Sequence, residues 1–211
     1  MSEDDLKFGV VALSAIFFVI DPLANIPIFL SITGSFTPAQ RHRTARRAAI
    51  ATGITLSIFA LAGGLIFRAF GISLGAFKIA GGIMLLLMSI DMMRAQPSRT
   101  RTSVEEQDAS RERDDIAIFP IAIPMLAGPG AIATVMVLMS RAAWHPMRTG
   151  FVFVAIALTC VATWLLLRGS VRAAQLLPTT LLRAFERVMG LLLAAVAVEF
   201  VASGVRDMIG A

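Results

Sequence analysis

Two short motifs in this chain could do chemistry: Asp21-Pro22-Leu23-Ala24-Asn25 and Gly128-Pro129-Gly130-Ala131, each inside a long apolar stretch. A proline within a helix lacks an amide donor and crowds the preceding turn, so each motif breaks its helix. The residue before it is pushed out of the α region. Asp21 and Gly128 then stand as N-caps of new half-helices, with Pro22 and Pro129 at the first helical position. Pro27 loosens the first stretch further, and Pro120 and Pro124 do the same upstream in the second. A half-helix that begins inside a bilayer presents unpaired amides and the positive end of its dipole. That is a receptor for a small anionic group such as a carboxylate. Asn25 adds donor and acceptor one turn after Asp21. Thr134 is the nearest polar side chain beyond Gly130, and Gly128 and Gly130 let a ligand touch backbone. The expected binding residues are therefore Asp21, Pro22, Asn25, Gly128, Pro129, Gly130, Ala131 and Thr134, around a space that suits a small substrate. The competing reading is a pair of plain proline kinks, their freed backbone groups satisfied by neighbouring helices. Asp21 as a mere cap and Asp21 as a proton binder stay equally open.

The other candidates are charges within apolar spans: Lys78, Asp91 and Glu199, with Arg187 near the start of the last span. Such charges are costly and are either paired or functional. Lys78 and Glu199 fall at similar depth and are expected to pair. Asp91 is expected to meet Arg183 or Arg187 at the opposite ends of their spans. Structural pairing is favoured over a proton relay, because each charge lies nearer an interface than the midplane. The single Cys160 offers neither a disulfide framework nor a ligand cluster and is expected to be a buried, inert thiol. His42 and His145 read as solvated residues of connections. Gly63-Gly64 and Gly81-Gly82 suit close helix packing. No metal or cofactor is expected. With no His-x-x-x-His pair and no Walker loop, an enzyme or a self-contained ATP-driven pump is not expected either.

These residues must be positioned by membrane helices. Hydrophobic residues make up 57% of the 211 and charged residues 16%, with a mean hydropathy of +0.79, whereas soluble proteins carry roughly 25% charged residues. A span needs roughly 20 apolar residues. Six stretches qualify or nearly so: 8–33, 48–67, 70–93, 116–140, 149–167 and 184–205. Of the 19 basic residues, thirteen fall in the second, fourth and sixth connections and their flanks, among them Arg41, Arg43, Arg46, Arg47 and Arg168. The positive-inside rule places those in the cytoplasm and both termini outside. The net charge of +5 is thereby explained without a nucleic-acid partner. An acidic N-terminus without a small-x-small cleavage site argues that the first apolar stretch stays in the mature protein.

Shifting the chain by 107 or 108 residues lays Asp21-Pro22 on Gly128-Pro129, Gly82 on Gly190 and Asp91 on Glu199. The expected organisation is a three-helix repeat at 1–93, a flexible cytoplasmic linker at 94–115 and a second repeat at 116–211. With three spans in each, the second enters from the opposite side. The expected fold class is thus an all-α membrane protein of six transmembrane helices in a 3+3 inverted-topology repeat, helices 1 and 4 being broken. Many secondary transporters use that arrangement.

Taken together, Asp21-Pro22-Leu23-Ala24-Asn25-Ile26-Pro27-Ile28-Phe29, the stretch from Phe70-Gly71-Ile72-Ser73-Leu74 through Asp91-Met92, and Phe119-Pro120 through Leu126-Ala127-Gly128-Pro129-Gly130-Ala131 resemble the MarC family of inner-membrane proteins. The resemblance spans nearly the whole chain. Ala24 stands where the family pattern usually has Gly, and Gly75 and Lys78 where Pro and Arg are common. Lys78 keeps the charge but loses the forked geometry. The resemblance implies a secondary carrier of small neutral amino acids such as glycine and alanine in the cytoplasmic membrane, coupled to a proton or sodium gradient. A small zwitterion fits the residues read above, its carboxylate at the half-helix ends and its ammonium at Asp21, Asn25 or freed carbonyls. The alternatives are an exporter of another small solute and a non-transporting scaffold or sensor.

Overall fold

The computed structural model describes residues 2–94, 116–143, 145–170 and 179–210, except for the side chains at 27, 31, 68, 120, 179–183, 185 and 186. The expected linker lies almost wholly outside these residues. Local sequence sets most helix ends. Helix α1 (Glu3–Ile20) starts on a capping box between Ser2 and Asp5, and α2 (Asn25–Ile32) follows the first break. Helix α3 (Pro38–Phe70) opens with Thr37-Pro38-Ala39-Gln40. There the Gln40 amide donates to Thr37 Oγ1 while the Thr37 amide donates to Gln40 Oε1, a second capping box. It ends at Gly71, whose φ of +63° suits glycine, as the Ile72 amide reaches back to Phe67 O at 2.9 Å. Ser73 caps α4 (Leu74–Met93) through the Ala76 amide at 3.1 Å.

The second half starts with a wide π-type turn, α5 (Ala117–Leu126), interrupted at Phe119 and Ile123, both with extended backbone. Each precedes a proline, so the pre-proline restriction has acted twice. Helices α6 (Pro129–Ala142) and α7 (Pro146–Arg168) both begin with proline in the first turn, and α8 (Thr179–Ile209) closes the chain. Among the described residues there is no strand. Helix α3 starts ten residues before its apolar span and carries Arg41 to Arg47 on helix. His42 therefore lies on α3, not in a connection as expected, whereas His145 is the N-cap of α7.

Glycine sets the closest helix pair. A Cβ on Gly75 would come 2.8 Å from Gly204 O, one on Gly82 2.8 Å from Ala197 O, and one on Gly190 3.0 Å from Ser89 O. These contacts make α4 and α8 antiparallel along most of their length. Helices α3 and α7 are also antiparallel, Gly53 meeting Cys160 while Arg46 lies near Trp164 and Arg168. Helices α1 and α7 are parallel, joined by Gly9 against Phe151 and by Arg148 on Asp5. Following these directions through the short α3–α4 turn puts residue 2 and residue 210 at the same end of the bundle. The contacts also come in related sets: α1 on α7 and α5 on α3, α2 on α7 and α6 on α3, α1 on α6 and α2 on α5.

Among the described residues, four helices are long and apolar enough to cross a membrane, namely α3, α4, α7 and α8. The α5–α6 pair, bent by 61°, makes a fifth when taken as one broken span. The first broken pair falls short of the six expected spans, because α1 carries Glu3, Asp4, Asp5 and Lys7 within 18 residues and α2 has only eight. Ile50, Ile54, Ile58, Leu61 and Leu65 are all more than half exposed, at helical spacing along one face of α3. Such a face suits lipid, not water.

Candidate functional site: the two broken helices

Asp21 ends one helix and starts the next turn. Its φ of +48° is left-handed, a conformation that Asp tolerates better than most side chains. Its amide donates to Phe17 O at 2.9 Å, while its Oδ1 accepts the Ala24 amide at 3.3 Å. The side chain thus accepts an amide three residues on, as an N-cap does, but Asp21 is the C-cap of α1 and the N-cap position of α2 is Ala24, not Asp21 as expected. The helix itself starts later than expected, at Asn25. Pro22, Leu23 and Ala24 form an intervening turn, with the Ile26 amide on Leu23 O at 3.1 Å. Asn25 is 0% exposed, and its Nδ2 donates to Ile20 O and to Asp21 O, both at 2.9 Å. One amide group thus satisfies two carbonyls that the break released.

At the second break Gly128 takes an extended conformation as N-cap, Pro129 follows, and the Ile132 amide closes the first turn on Gly128 O at 3.0 Å. Glycine is needed at 128 for space: a Cβ would lie 2.7 Å from Pro124 O. Gly130 differs from expectation. Rather than leaving backbone open to a ligand, its side-chain direction is filled from α4: a Cβ there would lie 2.5 Å from Leu85 Cδ2 and 3.4 Å from Met88 Sδ. Thr134 is buried and its hydroxyl donates to Gly130 O at 2.9 Å. Asp21, Pro22, Asn25, Gly128, Gly130, Ala131 and Thr134 are all buried, and Pro129 is exposed. Asp21, Pro22 and Asn25 form one cluster, the Gly128–Thr134 residues another. Contacts of α1 with α6 and of α2 with α5 bring the two broken helices together.

Lys78 and Glu199 do not pair with one another as expected. Lys78, 5% exposed, places its Nζ 2.5 Å from Asp207 Oδ2 and 3.2 Å from Ser203 Oγ. Glu199 instead meets Arg206 at 2.9 Å on the exposed side of α8. The register explains the difference. Side chains lean toward the N-terminus of their own helix, and for antiparallel α4 that direction leads to the C-terminal end of α8. Ser203 and Asp207, one turn apart, were missed in the sequence because that register was not visible there. No ion pair joins Asp91 to Arg187 among the described residues, and Arg187 is exposed. The Arg183 side chain lies outside the described ones.

At the start of α1, Ser2 and Arg148 both bond the Asp5 carboxylate, and the Ser2 hydrogen bond ahead of Arg148 holds its pKa down from 3.8 to about 2. Gly63 packs on Met136, Gly81 on Ala133 and Gly82 on Val201, as close packing requires, while Gly64 faces open space. Gly71-Ile72-Ser73-Leu74-Gly75 has the letters of a nucleophile elbow, but Ser73 lies between two helices and serves as an N-cap, not on a strand-to-helix turn. No group of three or more His, Cys, Asp or Glu among the described residues could hold a metal ion.

Apolar helices with lipid-suited faces and buried polar breaks define a multi-pass helical membrane protein. Residues 6–209 match the model of the MarC family integral membrane proteins, and the chain belongs to that family. It is 39% identical to a UPF0056 membrane protein of Methanocaldococcus jannaschii over 96% of this chain and 98% of the relative. It is 36% identical to the UPF0056 membrane protein YvbG of Bacillus subtilis over 96% of each. A third relative, YhcE of Escherichia coli, is 34% identical over 92% of this chain and 89% of its own. These names record membrane proteins and no substrate. No solved structure matches the chain.

Proposed function

We propose that this protein is a secondary transporter of small neutral amino acids of the glycine and alanine class in the cytoplasmic membrane, coupled to a proton or sodium gradient and not an enzyme. One observation carries the reading: two helices are broken, at Asp21 and at Gly128, and the broken helices meet half against half. The half-helix starts at Asn25 and Pro129 supply amides for a carboxylate, and Asp21 supplies a negative charge for an ammonium. The substrate class itself rests on the resemblance of these motifs to the MarC family pattern.

The frame we infer is six crossings in a 3+3 inverted repeat. Gly53 touches Cys160, which stands 107 residues later, the repeat shift itself. Equivalent helices that meet antiparallel at equivalent residues suit a two-fold axis in the membrane plane. In that frame both termini face outward and the arginine-rich end of α3 faces the cytoplasm. Because Leu85 and Met88 fill the space at Gly130, substrate entry requires α4 to draw back from α6. A second reading, a non-transporting scaffold or sensor, draws on the Asn25 and Thr134 hydrogen bonds, which serve the chain itself. Counterflow decides between them. Liposomes loaded with unlabelled glycine or alanine should accumulate the labelled amino acid when they contain the protein. Accumulation no greater than in empty liposomes would leave the scaffold reading.

A further inference from the structure

We infer that the groove between α3 and α7 binds an anionic phospholipid, one acyl chain along the helices and its phosphate among Arg43, Arg46 and Arg168. Two adjoining cavities make the site. One, of about 580 Å³, is walled by apolar side chains including Ile50, Ile54, Ile58, Phe153 and Val161. The other, of about 290 Å³, is lined by His42, Arg43, Arg46, Trp164 and Arg168. Arg46 and Trp164 belong to both, so an apolar trough runs directly into a cluster of guanidinium groups.

The trough follows from the packing of α3 on α7. Gly53 lacks a side chain, and a Cβ there would lie 3.3 Å from Cys160 Sγ, so the pair leaves a channel flanked by larger residues. From Arg46 to Leu61 it runs about 22 Å at 1.5 Å per residue. That exceeds one leaflet, about half of a roughly 30 Å hydrocarbon core. The head of the site carries charge in want of a counterion. Arg43, Arg46 and Arg168 form no ion pair among the described residues, and Arg168 lies 5.5 Å over the Trp164 ring, which fixes its guanidinium at the mouth. Forked guanidinium groups suit phosphate oxygens, and basic pockets beside membrane helices on the cytoplasmic side suit acidic head groups. A neutral lipid would fill the trough and leave those charges unmatched.

Cys160, the single cysteine, reports from the floor of the trough. The test titrates purified protein in neutral detergent with dioleoylphosphatidylglycerol or dioleoylphosphatidylcholine. Retained lipid is read by native mass spectrometry and the Cys160 labelling rate with an apolar maleimide. The acidic lipid should be retained at least about fivefold better and should slow labelling. Arg43→Gln with Arg168→Gln should reduce that preference to near unity, and Ala157→Trp, which fills the trough from its exposed side, should abolish retention of both lipids. Equal retention of the two lipids by the parent would overturn the proposal. So would equal slowing by glycerophosphoglycerol, which lacks the chains, or a dimer whose Cys160 is shielded without lipid.

Discussion

Asn25 holds the first break together with one side chain. Its two amide hydrogens meet the carbonyls of Ile20 and Asp21 at zero exposure, and unpaired buried carbonyls each cost about 1–3 kcal/mol. Asn25→Ala should therefore lower thermal stability in detergent by about that amount, before any effect on transport. An unchanged melting temperature would mean that the side chain serves a ligand only. Lys78 and Asp207 are a second residue-scale device. Lys78→Gln and Asp207→Asn should each destabilise, with the double variant losing less than the sum, because each single change leaves a charge partly buried without its partner. Glu199→Gln should add to Lys78→Gln without coupling. Asp5 brings a pH dependence. Its folded carboxyl titrates at about 2 against an ordinary 3.8, so the stabilisation it gives is fully present above about pH 4 and is lost as pH falls toward 2. Arg148→Gln should shrink that acid-sensitive step in melts recorded between pH 5 and 2.

At the scale of elements, Gly130 lets α6 rest on α4. Gly130→Val would drive methyl groups into Leu85, and overpacking of this kind costs about 1–3 kcal/mol. Folded yield should fall, and Leu85→Ala should restore part of it. If Gly130→Val is as abundant as the parent alone, the α4–α6 contact is looser than described. What was legible in sequence, and what was not, divides at this scale. The breaks at Asp21 and Gly128 were legible because proline sterics and capping act within four residues. Asp21 as the N-cap was not, because a turn over Pro22 to Ala24 separates it from the helix that starts at Asn25. The start of α3 at Pro38 was written in Thr37-Pro38-Ala39-Gln40, but hydropathy points only to where apolar residues begin. The partner of Lys78 was not legible, since it depends on which glycines of α4 and α8 meet. For the same reason the open backbone expected at Gly130 was filled by a leucine 45 residues away in sequence.

At the scale of the whole molecule, helix directions bring both chain ends to one end of the bundle, and the basic residues favour the opposite end as cytoplasmic. A reporter active only in the cytoplasm should stay silent when fused after Met208 and be active when fused after Ser35. Activity at both positions would contradict the inverted frame. If the meeting broken helices receive the carboxylate of a small zwitterion, as we propose, that carboxylate decides which solutes compete. The most direct measurement is counterflow of labelled glycine in proteoliposomes challenged with unlabelled glycine, alanine or glycinamide, which keeps the ammonium group but lacks the carboxylate. Glycine and alanine should abolish the signal, and glycinamide at the same concentration should leave it nearly intact. Glycinamide competing as well as glycine would contradict that proposal.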